Sequence, residues 1–177
     1  MPDVTIRQLT EGDAPAYRAL RLHLLQVSPE SYGTTYEEAA ARPLAQTVER
    51  LRAQQDPAVG FTLGAFVAGA AGAGELVGMA TLLRQDGAKS SHRAEVVAVG
   101  VAAAARGQGI GRALMLALLD RARRCDGLEQ LLLAVTTTNA AALGLYRALG
   151  FVPYGLDRRA LKLGDRYWDE ELLALAL

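Results

Sequence analysis

The stretch Ala94-Glu-Val-Val-Ala-Val-Gly-Val101, continued by Ala102-Ala-Ala-Ala105 and Arg106-Gly-Gln-Gly-Ile-Gly111, decides the fold of this chain. Its first part is apolar and rich in valine, which predicts a buried strand. The glycine cluster predicts a turn that opens a helix from Gly109 to about Arg124. Such a layout favours anion binding, because the first amides of a helix lack internal partners and lie at the positive end of its dipole.

The glycines at positions 107, 109 and 111 remove side chains that would keep a phosphate away from those amides. Two common nucleotide patterns do not fit. The dinucleotide fingerprint needs a glycine where Arg112 stands, and the triphosphate loop needs Gly-Lys-Ser/Thr, which the chain lacks. The pattern that fits is Arg/Gln-x-x-Gly-x-Gly/Ala, which spans Arg106 to Gly111. Arg106 also adds a fixed positive charge.

This pattern resembles the pyrophosphate-binding motif of the GCN5-related N-acetyltransferases, which hold acetyl-coenzyme A. A second segment, Asn139-Ala-Ala-Ala-Leu-Gly-Leu-Tyr146-Arg-Ala-Leu-Gly-Phe151, is similar to the Asn…Leu-Tyr…Gly-Phe segment of the same family. One departure is Ala103, where the family usually has proline. The resemblance implies acetyl-CoA as co-substrate, direct transfer of its acetyl group to a primary amine, and no metal ion.

The resemblance also implies which residues hold the cofactor. Strand backbone would pair with the pantetheine arm, loop amides would bind the pyrophosphate, and an asparagine side chain would hydrogen-bond the arm. Glycine at position 100 is consistent with a bulge or a close backbone approach. The expected cofactor-binding residues are Val99, Gly100, Val101, Arg106, Gly107, Gln108, Gly109, Ile110, Gly111, Arg112 and Asn139.

Two residues are candidates for catalysis. Glu95 is an acid inside an apolar strand, and burial would raise its pKa towards the range of a general base. The alternatives are that Glu95 lies on the solvent side or pairs with Arg93 or Arg84, or that a water molecule accepts the proton. Tyr146 lies about two helical turns after Asn139, on the same side. In the family its hydroxyl can protonate the departing thiolate.

Periodicity and turn signals predict the remaining elements, in the order βααβββαβαββ, as a mixed central sheet flanked by helices in one α/β domain spanning residues 1–177. The second helical region is interrupted near Pro43, and a turn of small residues is expected at 71–74. The predicted strands are 4–9, 61–70, 75–83, 94–101, 128–135, 151–163 and 167–175. The first predicted helix is capped by Thr10 or Asp13 and runs to about Val27, and the other predicted helices are 37–54, 109–124 and 139–149.

In this family, acceptor specificity comes from the first two helices and the last pair of strands. Acids and aromatic rings there suit a cationic amine. The candidates for acceptor contacts are Tyr32, Tyr36, Glu38 and Trp168. The acceptor itself, a small molecule or a peptide, is not identified. Transfer of another acyl group, a hydroxyl acceptor, or a non-catalytic acyl-CoA sensor are the alternatives.

Composition limits the remaining possibilities. Apolar residues make up 51% of the chain, and Lys plus Arg balance Asp plus Glu at 19 each, which argues against a nucleic-acid partner. Cys125 is the single cysteine, so neither a disulfide within the chain nor a usual zinc site is expected. Without an 18-residue apolar segment, we expect no membrane span and a cytoplasmic location. The apolar run Leu172–Leu177 suggests a possible homodimer.

Overall fold

Seven strands form one mixed sheet in the computed structural model, which describes residues 4–68 and 74–177. The strands are β1 (Val4–Gln8), β2 (Gly60–Val67), β3 (Glu75–Arg84), β4 (Arg93–Val101), β5 (Gln130–Thr136), β6 (Val152–Leu163) and β7 (Arg166–Ala176). Their spatial order is β1-β2-β3-β4-β5-β7-β6. Only β4 and β5 pair in parallel, and every other neighbouring pair is antiparallel.

Helices cover both faces of this sheet, as the sequence predicts. They are α1 (Ala14–Val27), α2 (Tyr36–Ala41), α3 (Leu44–Ala53), α4 (Ile110–Ala122) and α5 (Ala140–Ala148). One apolar cluster joins α4 and α5 to the sheet, and a second joins α1 and α3 to the opposite face. The α/β architecture with a mixed sheet is therefore confirmed.

The element order differs from the prediction at one point, because the region before β2 contains three helices and the order is βαααβββαβαββ. The break lies at Pro43, which has no amide hydrogen and disfavours helical backbone in the residue before it. Arg42 accordingly takes an extended conformation, with ψ of 130°. The turn predicted at 71–74 lies outside the described residues, except for Gly74.

The parallel pair at the centre of the sheet is short. Arg93–Glu95 of β4 pairs with Gln130–Leu132 of β5, and the two strands then diverge. On its other side, β4 carries a bulge, since Ala98 and Val99 together face the single residue Ala80 of β3. Ala98 has a φ of +53°, in the left-handed region that alanine seldom occupies.

The sequence had suggested a bulge or a close backbone approach at Gly100. The bulge lies just before that residue, at Ala98 and Val99. Gly100 instead permits a close approach, the other possibility offered for this position. A Cβ there would stand 2.5 Å from Cδ1 of Leu24 and 2.6 Å from the hydroxyl of Tyr32. Glycine at this position lets α1 and the loop after it pack directly on β4.

The C-terminal apolar run does not form a free edge. β7 lies between β5 and β6, and its Leu173 is fully buried, so packing within the sheet accounts for the apolar residues from Leu172 onward. The exposed apolar side chains Val152, Tyr154 and Leu156 lie on β6, which is the edge strand. A homodimer thus stays a prediction, without the support that the C-terminal run had lent it.

Among residues 4–68 and 74–177, none of the helices combines the length and the apolar character that crossing a lipid bilayer requires.

The connection between β1 and α1 yields a prediction on stability. Asp13 accepts hydrogen bonds from Nη1 and Nη2 of Arg7, at 2.8 and 2.7 Å, and from the amide of Thr10 at 2.8 Å. The hydrogen bonds from Arg7 are the main cause that lowers the pKa of Asp13 to about 2. Because the folded pKa is depressed, this stabilisation is present above pH ~4 and is lost as the pH falls towards 2.

We expect Asp13→Asn to lower the free energy of unfolding at pH 7 by about 1 kcal/mol, the scale of a partly exposed ion pair. The difference from wild type should be almost unchanged in urea titrations at pH 4 and clearly smaller at pH 3. Asp86→Asn, which removes an exposed acid from a loop, is the matched control. A difference that stays constant between pH 7 and pH 3 would contradict this account.

Candidate active site

Where β4 and β5 part, they open a cleft of about 680 Å³. We call it the strand cleft. Its sides are the diverging segments Val96–Val101 and Leu133–Thr136, and its ends are the glycine loop Arg106–Gly111 and the start of α5. Separated strands have backbone groups that no longer bond each other, so such a cleft offers donors and acceptors to an extended ligand.

The glycine loop brings the start of α4 to one end of the strand cleft. Gly107 and Gly109 have φ angles of +75° and +78°, which favour glycine, and a Cβ on either would meet no atom within 4 Å. Gly109 is the N-cap residue of α4, and no side chain caps the first amides of this helix. These amides are therefore available to an anion such as a pyrophosphate.

The side chains of this loop have other roles. Nε of Arg106 donates to the carbonyl of Val101 at 3.0 Å and so ties the loop to the end of β4. Gln108 donates to the carbonyl of Ala104 at 3.3 Å, and Arg112 is exposed on α4. Gln108 and Arg112 do not line the cleft. The other predicted cofactor residues do line it: Val99, Gly100, Val101, Arg106, Gly107, Gly109, Ile110, Gly111 and Asn139.

Asn139 and Tyr146, which the sequence places on one side of α5, both line the strand cleft. Asn139 caps α5, since its Oδ1 accepts from the amide of Ala142 at 3.1 Å, and its Nδ2 lies 3.5 Å from Oγ of Ser31. Tyr146 is 7% exposed, with its ring edge-on to Phe151. Burial, and to a smaller extent nearby Tyr32, raises the pKa of the Tyr146 hydroxyl far above its usual range.

Thr136 is a further cleft residue that the sequence did not single out. It is 2% exposed, and among the described residues its Oγ1 has no hydrogen-bond partner although it is buried. A buried hydroxyl without a partner costs free energy, so Thr136 is an unsatisfied polar residue beside the cleft. No local pattern distinguishes this residue, because it is one of three consecutive threonines at the end of β5.

A second cavity, of about 650 Å³, lies on the α1 and α3 side of the sheet. We call it the arginine cavity, because four arginine side chains line it together with two carboxylates. It meets the strand cleft at the opening between β4 and β5, where both share the loop residues Ser31 and Tyr32. Its charged residues are Arg18, Arg21, Arg42, Arg50, Glu95 and Glu170.

Tyr32 stands at the junction of the two cavities, as the only predicted acceptor residue that lines them. Its hydroxyl donates to the carbonyl of Val99 at 3.2 Å, and the guanidinium of Arg21 lies 4.4 Å from its ring centre. Burial raises the pKa of Tyr32, and the charge of Arg21 opposes that rise. Tyr32 thus connects the backbone of the bulge in β4 to the arginine cavity.

The expectation that Glu95 is buried is wrong, because the residue is exposed within the arginine cavity. Strand alternation explains this, since Ala94 and Val96 face the core beneath α4 and Glu95 faces the opposite side. The Oε1 atom of Glu95 lies 3.3 Å from Nε2 of Gln85. No ion pair joins Glu95 to Arg93 or Arg84 in the described part of the chain.

Glu170 is the acid that the sequence missed. It lies on β7, lines the arginine cavity, and has a pKa raised first by burial and then by the charge of Asp157. The sequence held one signal for this residue. Glu170 and Leu172 are two positions apart in a strand, so their side chains lie on the same face of the sheet.

Three of the predicted acceptor residues are not brought to either cavity. Glu38 forms a capping box with Thr35 at the start of α2, accepting from the amide of Thr35 at 3.0 Å. Tyr36 is the first residue of that helix. Trp168 lies near the start of β7, and the guanidinium of Arg166 is 5.3 Å from its ring centre. Other acids and aromatics line this side of the site instead, namely Glu95, Glu170, Tyr17 and Tyr154, together with four arginines that the sequence did not predict there.

Comparison with known proteins gives a consistent result. The model of the Acetyltransferase (GNAT) family matches residues 24–151. The mycothiol acetyltransferase of Thermobispora bispora is 34% identical over 160 residues, which cover 87% of this chain and 48% of that protein. The first curated relatives are matched over 21% to 54% of their own length, so the chain spans at most about half of each.

Solved structures share the fold. An acetyltransferase of the GNAT family from Streptococcus pneumoniae superposes with a TM-score of 0.89 at 20% identity, covering 99% of both chains. The yncA structure from Salmonella typhimurium, determined with its cofactor acetyl-CoA, gives a TM-score of 0.82 at 22% identity over 99% of this chain and 94% of that one. At these identities the likeness establishes the fold alone.

Proposed function

This chain belongs to the acetyltransferase (GNAT) family, and from that premise we propose that it transfers the acetyl group of acetyl-CoA to a primary amine in a ternary complex. The observation that carries the proposal is the junction of two cavities at the opening between β4 and β5. One cavity suits a long anionic cofactor and the other suits an acceptor. Acetyl-CoA supplies a thioester whose acyl group an amine can take directly.

The residues of the strand cleft fit acetyl-CoA on two observations. The first amides of α4 have no side-chain cap, and the space at Gly107 and Gly109 is open, so a pyrophosphate can reach those amides. Val99–Val101 on one side and Asn139 on the other lie where they can bond an extended arm.

Two side chains move protons in this proposal. Glu95, at the last position of β4 that pairs with β5 and within the arginine cavity, accepts a proton from the attacking amine, directly or through water. Tyr146 donates its hydroxyl proton to the departing thiolate. Its raised pKa keeps the hydroxyl protonated at neutral pH, although it also makes the hydroxyl a weaker proton donor.

The cofactor half of the proposal is tested with a glycine variant. We expect Gly109→Ala to weaken CoA binding at least ~10-fold in calorimetry, because a methyl group at the N-cap keeps the pyrophosphate from the α4 amides. The matched control is Gly164→Ala, in the turn between β6 and β7. Gly164 has a φ of +59° and equally open surroundings, so each variant should lose about 1 kcal/mol of stability.

Of the two glycine variants, only Gly109→Ala should bind CoA more weakly than wild type. CoA binding as tight as in wild type would exclude these amides as the pyrophosphate site. Wild-type protein that does not bind acetyl-CoA at millimolar concentration would remove the proposed function as a whole.

The transfer half is tested by release of free thiol from acetyl-CoA in the presence of a panel of amines. We expect Tyr146→Phe to lower kcat about 100-fold without raising the KM for acetyl-CoA, because only proton donation to the leaving group is lost. Tyr167→Phe, which removes a hydroxyl outside both cavities, should behave like wild type. Full turnover by Tyr146→Phe with its best acceptor would end the acid role.

The proton acceptor is tested by Glu95→Gln. We expect kcat/KM at pH 7 to fall about 100-fold, and less at higher pH, where more of the free amine is already deprotonated. Glu129→Gln, at an exposed acid outside both cavities, is the control. A loss seen in Glu170→Gln but not in Glu95→Gln would transfer the role to Glu170, and a loss in neither would leave it to water.

A further inference from the structure

The arginine cavity concentrates positive charge from three separate places in the chain. Arg18 and Arg21 project from α1, Arg50 from α3, and Arg42 follows the end of α2. Two carboxylates, Glu95 and Glu170, oppose these four guanidinium groups on the sheet side. The cavity is therefore positive overall, although the whole chain has equal numbers of acidic and basic residues.

None of the four guanidinium groups forms an ion pair within the described residues. Arg18 donates to the carbonyls of Ala40 and Arg42, at 2.8 and 3.2 Å, and so holds the end of α2. Arg50 lies 4.9 Å from the ring centre of Tyr17. These contacts fix the side chains in place without neutralising their charge.

Among these four arginines, Arg21 has a buried nitrogen that lacks a hydrogen-bond partner in the described part of the chain. Its guanidinium stacks on Tyr32 at the junction of the two cavities, and the nitrogen without a partner among the described residues is Nη1. Burial is the main cause that lowers the pKa of Arg21. Tyr17 and Tyr32 oppose this fall, and the charges of Arg50 and Arg42 add to it. A buried donor without a partner, on a cation that forms no ion pair, costs free energy, and an anion bound to this guanidinium from the cavity would offset its charge.

This charge distribution selects among amine acceptors. A simple ammonium ion entering the cavity would meet four positive charges against two negative ones, which is a net repulsion. An amine that brings its own negative charge would be attracted, and a carboxylate matches the two-pronged geometry of a guanidinium. The volume of about 650 Å³ leaves room for a side chain in addition to the amine and the carboxylate.

We propose that the acceptor is a free amino acid, or a close analogue, whose carboxylate binds Arg21 and Arg50 while its amine faces Glu95 and the opening between β4 and β5. This inference rests on the proposed function, since it names the substrate class for the same site. It also replaces the expectation of an acid-lined pocket for a cationic amine, because the acids and aromatics on which that expectation rested mostly lie elsewhere.

The first experiment compares matched acceptors that differ only in the carboxylate. The pairs are L-phenylalanine with phenethylamine, L-lysine with cadaverine, and L-methionine with 3-(methylthio)propylamine, each assayed by thiol release from acetyl-CoA. Calorimetry on the protein saturated with CoA gives a second readout that does not depend on turnover. We expect at least ~10-fold higher kcat/KM, or tighter binding, for the acid of at least one pair.

Equal or better use of the decarboxylated amines would overturn the inference and leave the proposed function intact. Absence of binding and turnover with all the amino acids would overturn it as well. Failure to bind acetyl-CoA would instead overturn the proposed function, so the two failures are distinguishable.

The second experiment assigns the carboxylate to its arginine. We expect Arg21→Gln to raise the KM for the preferred amino acid ~10- to 100-fold with little change in kcat, and to leave the KM of its decarboxylated partner unchanged or lower. Arg21→Lys should recover part of the loss, because it keeps the charge without the fork. Arg52→Gln on α3, whose arginine pairs with Glu11 and Glu49 away from the cavity, is the control.

Thermal unfolding shows whether each variant keeps its fold. If Arg21→Gln does not fold, Arg50→Gln takes its place, because Arg50 is exposed and its removal leaves no buried gap. An equal change in KM for the acid and the amine, in whichever variant folds, would show that the guanidinium does not bind the carboxylate.

Discussion

The parting of β4 and β5 after three residue pairs is the constraint on which the rest of the site depends. A parallel pair that continued would use its backbone groups within the sheet and leave no cleft. Two features mark β4 beyond this point. The strand carries the bulge at Ala98 and Val99, and the carbonyl of Val99 accepts a hydrogen bond from Tyr32. The energetic cost is visible in the left-handed backbone of Ala98, a strain of the kind found at ligand sites.

The packing around the cleft also places the helix starts. Gly78 of β3 lets α4 lie close to the sheet, since a Cβ there would stand 2.9 Å from Cδ1 of Leu114. The uncapped first turn of α4 then lies at one end of the cleft and the start of α5 at another. Positive potential consequently surrounds the junction from two directions, with backbone amides in the strand cleft and guanidinium groups in the arginine cavity. Both suit anions, one carried by a cofactor and one carried by an acceptor.

Local patterns predicted much of this. The strand-loop-helix segment around Gly107 and Gly109, and the pairing of Asn139 with Tyr146 on one side of α5, follow from spacing over a few residues, and the structure places them in one cleft. The prediction for Glu95 was wrong in its burial, because period-two alternation says that neighbours face opposite sides without saying which side a helix covers. Pro43 was predicted to interrupt the second helical region, but the prediction did not divide that region into two separate helices.

The sequence by itself determined the kind and order of nearly every element, the family motifs, and the glycine-rich start of α4, because each of these depends on residues close together in the chain. Tertiary structure alone decided that β7 is interior and β6 is the edge, that Glu170 joins Glu95, and that Arg18, Arg21, Arg42 and Arg50 meet in one cavity. Those arrangements arise from packing between segments that are distant in sequence. In the sequence, an arginine on a helix surface cannot be distinguished from any other solvated charge, because the sheet residues that complete the cavity are not yet placed opposite it.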